Sequence, residues 1–253
     1  MLDKAAHFSV VLLAVIAGFV DAVGFITLGR IYTANMSGNS VAVGIELASR
    51  HWPEMLRRLW PVLAYLSGAL FCRLLIEIGA RYKFRAIVSI TAFCEMGLLL
   101  PVCIENPLRA DSSHLQIVYV GLLASAMGIQ NAAVTKVQSV PVHTGFVTGM
   151  LLNSVEEFTK YLTWLFERMR SKRDSLSEAV RRSLGQKSFQ IAISLASVWV
   201  SYVAGACCGT LTEFAIHLRA LVAPLLGLLI VVAVDLRHPL GTQEEESQAK
   251  ISS

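Results

Sequence analysis

The chain has 253 residues, of which 55% are hydrophobic and 16% charged, against roughly 45–50% and about 25% in a soluble globular domain. With a mean hydropathy of +0.58, the apolar residues cannot all be hidden in one water-facing core, so a soluble protein is excluded and lipid is the expected solvent for much of the surface. The formal net charge of +4 implies no nucleic-acid partner, because the basic residues lie mainly between hydrophobic runs, where membrane topology accounts for them.

A bilayer core of about 30 Å needs about 20 apolar residues of helix. That ruler predicts six strong spans, at roughly 7–29, 59–79, 86–104, 115–134, 188–209 and 219–235. The first has the outline of a signal peptide, with Lys4 before an apolar run from Phe8. The run continues past Asp21 to Leu28 without a small-residue exit, so it reads as a retained helix. Two weaker segments, Ile31 to Ser49 and Gly145 to Phe166, carry Gly and hydroxyl residues at their start and read as broken or re-entrant. The expected fold is an all-α polytopic transmembrane helix bundle of two internal repeats with six to eight membrane segments. It is read as one transmembrane domain over 1–237, with repeats at about 7–104 and 115–235, and a disordered cytoplasmic tail over 238–253.

The repeat is legible in three ordered matches. Gly18-Phe19-Val20-Asp21-Ala22 resembles Gly128-Ile129-Gln130-Asn131-Ala132, and Met36-Ser37-Gly38-Asn39 answers to Val147-Thr148-Gly149-Met150. Tyr65-Leu66-Ser67-Gly68-Ala69 matches Tyr202-Val203-Ala204-Gly205-Ala206. The basic cluster Arg168, Arg170, Lys172, Arg173, Arg181, Arg182 and Lys187 places its loop, and with it both termini, in the cytoplasm. Loop charges do not choose between three crossings per repeat, which inverts the halves, and four, which leaves them parallel.

Asp21 is the first candidate for function, because a carboxylate inside an apolar helix is costly unless it faces a partner or water. It would hold a coupling proton or cation, or a substrate counter-charge; the alternative is a packing carboxylate. Asn131 takes the matching place, with Gln130 beside it. Thr33, Asn35, Ser37, Gly38 and Asn39, mirrored by His143, Thr144, Thr148 and Gly149, form two polar helix starts suited to a small polar or anionic solute. Capping and close packing are the competing explanation. Glu95, alone in its run, is a secondary candidate for a buried proton site. Glu156 with Lys160, and Arg73 with Glu77, are spaced four apart and read as ion pairs.

Gly205 and Gly209 give the spacing for close helix approach, and Trp52, Trp60 and Trp164 read as interfacial anchors. The five cysteines fall in or beside apolar segments, so neither disulfides nor metal sites are expected. No cofactor and no enzyme motif is found: His-Glu-x-x-His, Gly-x-Ser-x-Gly and a Walker loop are all missing.

The paired motifs around Gly18–Ala22, Gly24-Phe25 and Ser37-Gly38-Asn39, then Gly128–Ala132, Thr144 and Val147-Thr148-Gly149, resemble the YoaK (DUF1275) family of bacterial membrane proteins over about residues 8–235. Members commonly carry Thr-Gly-Asn in each half, whereas this chain has Ser37 in the first and Met150 in the second. The resemblance implies a bacterial inner-membrane location and the repeated architecture, but no substrate. The reading is a small-solute transporter or channel with a midplane polar site. A membrane enzyme acting on lipid or lipid-linked substrate, and a non-transporting scaffold or sensor, are the alternatives; a homodimer stays open.

Overall fold

The computed structural model describes residues 4–82, 86–104, 113–133, 136–137, 140–141, 147–170 and 185–238. Their helices are α1 (Lys4–Thr27), α2 (Met36–Ala48), α3 (Trp52–Arg81), α4 (Ile87–Ile104), α5 (Ser113–Ala133), α6 (Val147–Arg170), α7 (Lys187–Ile216) and α8 (Val222–Arg237). A 3₁₀ turn, His217–Leu221, joins the last two, and a two-residue antiparallel ladder pairs Lys136 with Pro141 and Val137 with Val140. The architecture is all-α, as expected from the apolar periodicity. By its contacts the chain divides into two compact units, residues 1–145 with 201–253, and residues 146–200.

In the larger unit α1, α3, α4 and α5 are each long and apolar enough to cross a bilayer. So is the continuous stretch Lys187–Arg237, which the 3₁₀ turn splits into α7 and α8. Burial separates central helices from peripheral ones. The most apolar window is 61% buried in α1 and 67% in α5, but only 22% in α3. The outward residues of α3 include Leu63, Leu66, Leu70, Leu74 and Ile78, all exposed, which is the arrangement lipid contact requires.

Close contacts fix the helix directions. Val15 and Phe19 of α1 lie against Gly205 and Gly209 of α7, and Thr27 bonds to Glu213, so residue numbers rise together and α1 and α7 run parallel. On the other side Gly68 of α3 meets Ser125 of α5, and Cys72 packs on Ile129, so that pair is parallel too. Trp60 extends this register: its indole N–H donates to the Ile117 carbonyl at 2.9 Å and its ring covers Gly121. It is thus a helix-packing tryptophan rather than a plain interfacial anchor. Between the central helices the order reverses. The Gln130 amide donates to the Leu13 carbonyl at 2.9 Å, while Gly24 lies beside Leu123. The helices α1 and α5, which carry the matching motifs, are therefore antiparallel.

The motif pairs read from sequence are each other's contact partners, exchanged between halves. A methyl at Gly18 would overlap the Tyr202 carbonyl and approach the Ala206 nitrogen; one at Gly128 would overlap the Tyr65 carbonyl and approach the Ala69 nitrogen. Likewise Gly205 meets Val15, and Gly68 meets Ser125. Val15 and Gly18 are three residues apart, as are Ser125 and Gly128. Small residues are needed at these places because the two backbones touch there.

The segment after α1 accounts for the extra membrane element. Gly29 and Arg30 both have left-handed φ, at 76° and 57°, and the Arg30 N–H bonds back to Phe25 at 3.0 Å. This closes α1 in a Schellman-like turn and sends the chain back alongside it. The chain reaches the level of Asp21, six residues or about 9 Å before the end of α1, and α2 then leaves in the opposite sense. A second left-handed arginine, Arg50 (φ 59°), turns α2 into α3. There Pro53 occupies the helix start, a place where its missing N–H costs nothing. The start of α3 lies level with the end of α1, since Arg58 donates to the Arg30 carbonyl at 2.6 Å. The segment 28–48 therefore turns back beside α1, and the first half holds three helices long and apolar enough to cross a bilayer, α1, α3 and α4.

The smaller unit holds α6 and the first part of α7. Ser154 donates to the Ala192 carbonyl at 3.0 Å and Tyr161 packs on Phe189 with ring centres 4.8 Å apart. Lys160 pairs with Glu156 at 2.9 Å and Glu157 at 2.7 Å, the ion pair expected from spacing. Arg73 and Glu77 on α3 have the same spacing, yet no bond joins them; both are exposed, free to extend away from the apolar surface.

Candidate functional site

Asp21 is 3% exposed, and its carboxylate is met by donors from two directions. One oxygen accepts the backbone N–H groups of Thr33 and Ala34 at 2.6 and 2.8 Å, with the Thr33 hydroxyl at 3.4 Å. The other oxygen accepts the Tyr202 hydroxyl at 2.6 Å. One side chain thus ties α1, the re-entrant chain and α7 together. This resembles a helix N-cap, except that the carboxylate comes from another helix and takes the donors just ahead of α2 rather than within it.

Asn39 holds the same loop from the other side. Its oxygen accepts the Tyr32 N–H at 3.2 Å and its amide donates to the Tyr32 carbonyl at 2.7 Å. Tyr32 in turn stacks on Phe25 of α1 at 4.6 Å and covers Gly38, so Gly38 is small because an aromatic ring lies on it. Asn35 occupies the N-cap position of α2 but makes no side-chain cap bond; its oxygen accepts the Ser37 hydroxyl instead, at 2.6 Å. Ser37 and Ser40 are exposed on the first turn of α2.

The structure therefore brings together Asp21, Thr33, Asn35, Ser37, Gly38 and Asn39. Asn131, on α5, is 4% exposed and its side chain lies within electrostatic reach of the Tyr65 hydroxyl of α3, at the place that matches Asp21 beside Tyr202. Gln130 is 1% exposed and reaches α1. Glu95 is buried in α4, away from this cluster in sequence and element. Thr148, exposed, and Gly149, half-buried, start α6 in the smaller unit. His143 and Thr144 lie outside the described residues, as do 171–184 of the basic loop and the tail from 239.

Sequence reasoning did not find Tyr202 and Tyr65 as site residues, although it used both as markers of the repeat. It also missed Glu213, 5% exposed in α7, which accepts the Thr27 hydroxyl at 3.3 Å and faces His217 at 3.5 Å. A carboxylate in an apolar run was the available signal there. Asp235 is a further buried carboxylate: it accepts the backbone N–H and the hydroxyl of Ser89 at 2.9 and 2.6 Å, joining α8 to α4.

Five candidate spans, glycine-mediated helix contacts between matching motifs and a buried polar junction define a multi-pass helical membrane protein. The family profile described as "Protein of unknown function (DUF1275)" matches residues 9–234, and the chain belongs to that family. It is similar to the "UPF0700 transmembrane protein YoaK" of Bacillus subtilis (strain 168), with 25% identity over 170 residues, 67% of this chain and 74% of that protein. No solved structure matches it.

Proposed function

We propose that this protein is an inner-membrane transporter or channel for a small polar or anionic solute, with both termini in the cytoplasm. The observation that carries the reading is the start of α2: an uncapped helix end at the depth of Asp21, with exposed Ser37 beside it. The N–H groups of a first helical turn attract negative or polar groups. Interrupted helices that begin at membrane depth within inverted repeats are a recurring way to build a solute site. Asp21 serves that site by holding the preceding chain in place, and Asn131 with Tyr65 forms the corresponding junction in the other half.

A second reading, a non-transporting scaffold or sensor, is favoured by how completely Asp21 and Asn39 are engaged by internal donors and acceptors. The two readings differ in what Ser37 faces. In a solute pathway, Ser37→Cys in a cysteine-free background reacts with a charged, membrane-impermeant thiosulfonate, and solute-evoked currents in proteoliposomes fall after reaction. Reaction with a lipophilic maleimide alone would mean that the helix start faces lipid, and would favour the scaffold.

A further inference from the structure

Every other buried carboxylate described above has found donors; Glu95 has not. It lies near the middle of α4, is 2% exposed, and its Oε1 is sealed from solvent without a hydrogen-bond partner. Its neighbours on the same helix, Cys94 and Leu98, pack on an apolar cluster of Cys72, Ile129 and Ala132. The ionisable groups on the surrounding elements do not compensate it. On α3, Cys72 is within electrostatic reach but carries no positive charge, and Arg73 beside it is exposed. On α5 the candidates are Tyr119, which has a partner of its own, and His114 at the helix start. On α8, Asp235 is bonded to Ser89 and Arg237 is exposed at the helix end. In the 3₁₀ turn, the Arg219 carbonyl accepts the Cys103 thiol, and His217 faces Glu213.

A carboxylate anion is tolerated in an apolar interior only with charge partners or several donors. Asp21 has four donors, whereas the buried Oε1 of Glu95 has none. We infer that Glu95 is a proton-binding site: in this packing it is the neutral carboxylic acid, and it releases its proton to water only when the seat between α4, α3 and α5 opens. Binding is the simple addition of one proton to the carboxylate, and release is its reversal. Resting on the transporter reading, Glu95 rather than Asp21 carries the coupling proton, because the Asp21 oxygens are already engaged by Thr33, Ala34 and Tyr202 in holding the re-entrant chain.

The test needs no solute. In proteoliposomes of the intact chain, infrared spectra are to show a carboxylic-acid carbonyl band that persists between about pH 5 and pH 9, well past the ordinary carboxylate range. The band is to shift when glutamate, but not aspartate, carries carbon-13, and to vanish in Glu95→Gln. Peptide mapping after treatment with dicyclohexylcarbodiimide, which adds to protonated carboxyls in apolar surroundings, is to place the adduct on Glu95 in the unsubstituted protein. A shift with labelled aspartate instead, or a spectrum with no such band, would overturn the proposal. Those outcomes would leave the solute-current experiment at Ser37 untouched, and a failed current would leave the band in place.

Discussion

Two junctions in this molecule occupy equivalent places and are built differently. Where α1 meets α7, Gly18 and Gly205 bring the backbones into contact and Asp21 bonds to Tyr202. Where α5 meets α3, Gly128 and Gly68 do the same and Asn131 lies beside Tyr65. The shared part, glycine against backbone and tyrosine against an Asp or Asn, is what an inverted duplication needs to exchange its helices. The unshared part is the charge. At the first junction Asp21 also accepts the backbone N–H groups of Thr33 and Ala34, which ties the irregular chain after α1 to that junction. The first junction therefore joins packing to loop placement.

The most decisive way to break the comparison is topological, since it is all or nothing. In a cysteine-free background, Arg50→Cys, at the turn into α3, is expected to label from the periplasmic side. Tyr82→Cys, at the far end of α3, is expected to stay unlabelled until the membrane is opened. Labelling of position 82 from outside with position 50 silent would reverse the proposed orientation; labelling of both would destroy the three-crossing half. Next comes steric disruption. Gly18→Val and Gly128→Val each force a side chain into a neighbouring backbone carbonyl that cannot move aside. Each is expected to cost about 3 kcal/mol or more, seen as loss of a monodisperse peak in detergent. If only one of the two fails, the junctions are not equivalent in packing.

Much of this pairing was legible in the sequence, and for a physical reason. Helices that touch through their backbones require small residues at fixed spacing, so Gly18, Gly68, Gly128 and Gly205 leave a pattern that survives divergence of the lipid-facing positions around them. The re-entrant character of 31–49 showed in its Gly, Ser and Asn content. The direction of the repeats was not legible, because Arg50, Arg57 and Arg58 on one side nearly balance Arg81, Lys83 and Arg85 on the other. Nor were the partners of Asp21. Thr33 and Ala34 contribute backbone N–H groups, which carry no side-chain signature, and Tyr202 lies 181 residues away. The left-handed φ at Arg30 and Arg50 was equally hidden, since glycine is the residue that ordinarily announces it.

Removing the side chains separates the two functions of the junctions. Asp21→Ala would leave the N–H groups of Thr33 and Ala34 unpaired in a buried place and strip Tyr202 of its acceptor. It is expected to lower stability by about 3 kcal/mol, on the scale of about 1–3 kcal/mol for each group left unsatisfied. Asn131→Ala removes a neutral amide and is expected to cost less, about 1 kcal/mol for each neutral bond it makes. Melting temperatures in the same detergent compare them directly. Equal losses would mean that the charge at position 21 adds nothing to the shared scaffold.

The gentlest change is the most informative about function. In Asp21→Asn the amide oxygen can still accept from Thr33 and Ala34, and the Tyr202 hydroxyl can turn to accept from the amide nitrogen, so the contact to α7 is kept while the hydroxyl proton loses its acceptor. The remaining loss is the charge assistance of those bonds, about 1 kcal/mol, and the protein is expected to stay folded with a small drop in melting temperature. Solute-evoked current then isolates what the charge does. Preserved current at preserved fold would make Asp21 a staple for the re-entrant chain, with proton coupling left to Glu95. Abolished current at preserved fold would make its negative charge part of the transport cycle, and would return to position 21 the counter-charge role for which a lone aspartate in an apolar helix first marked it.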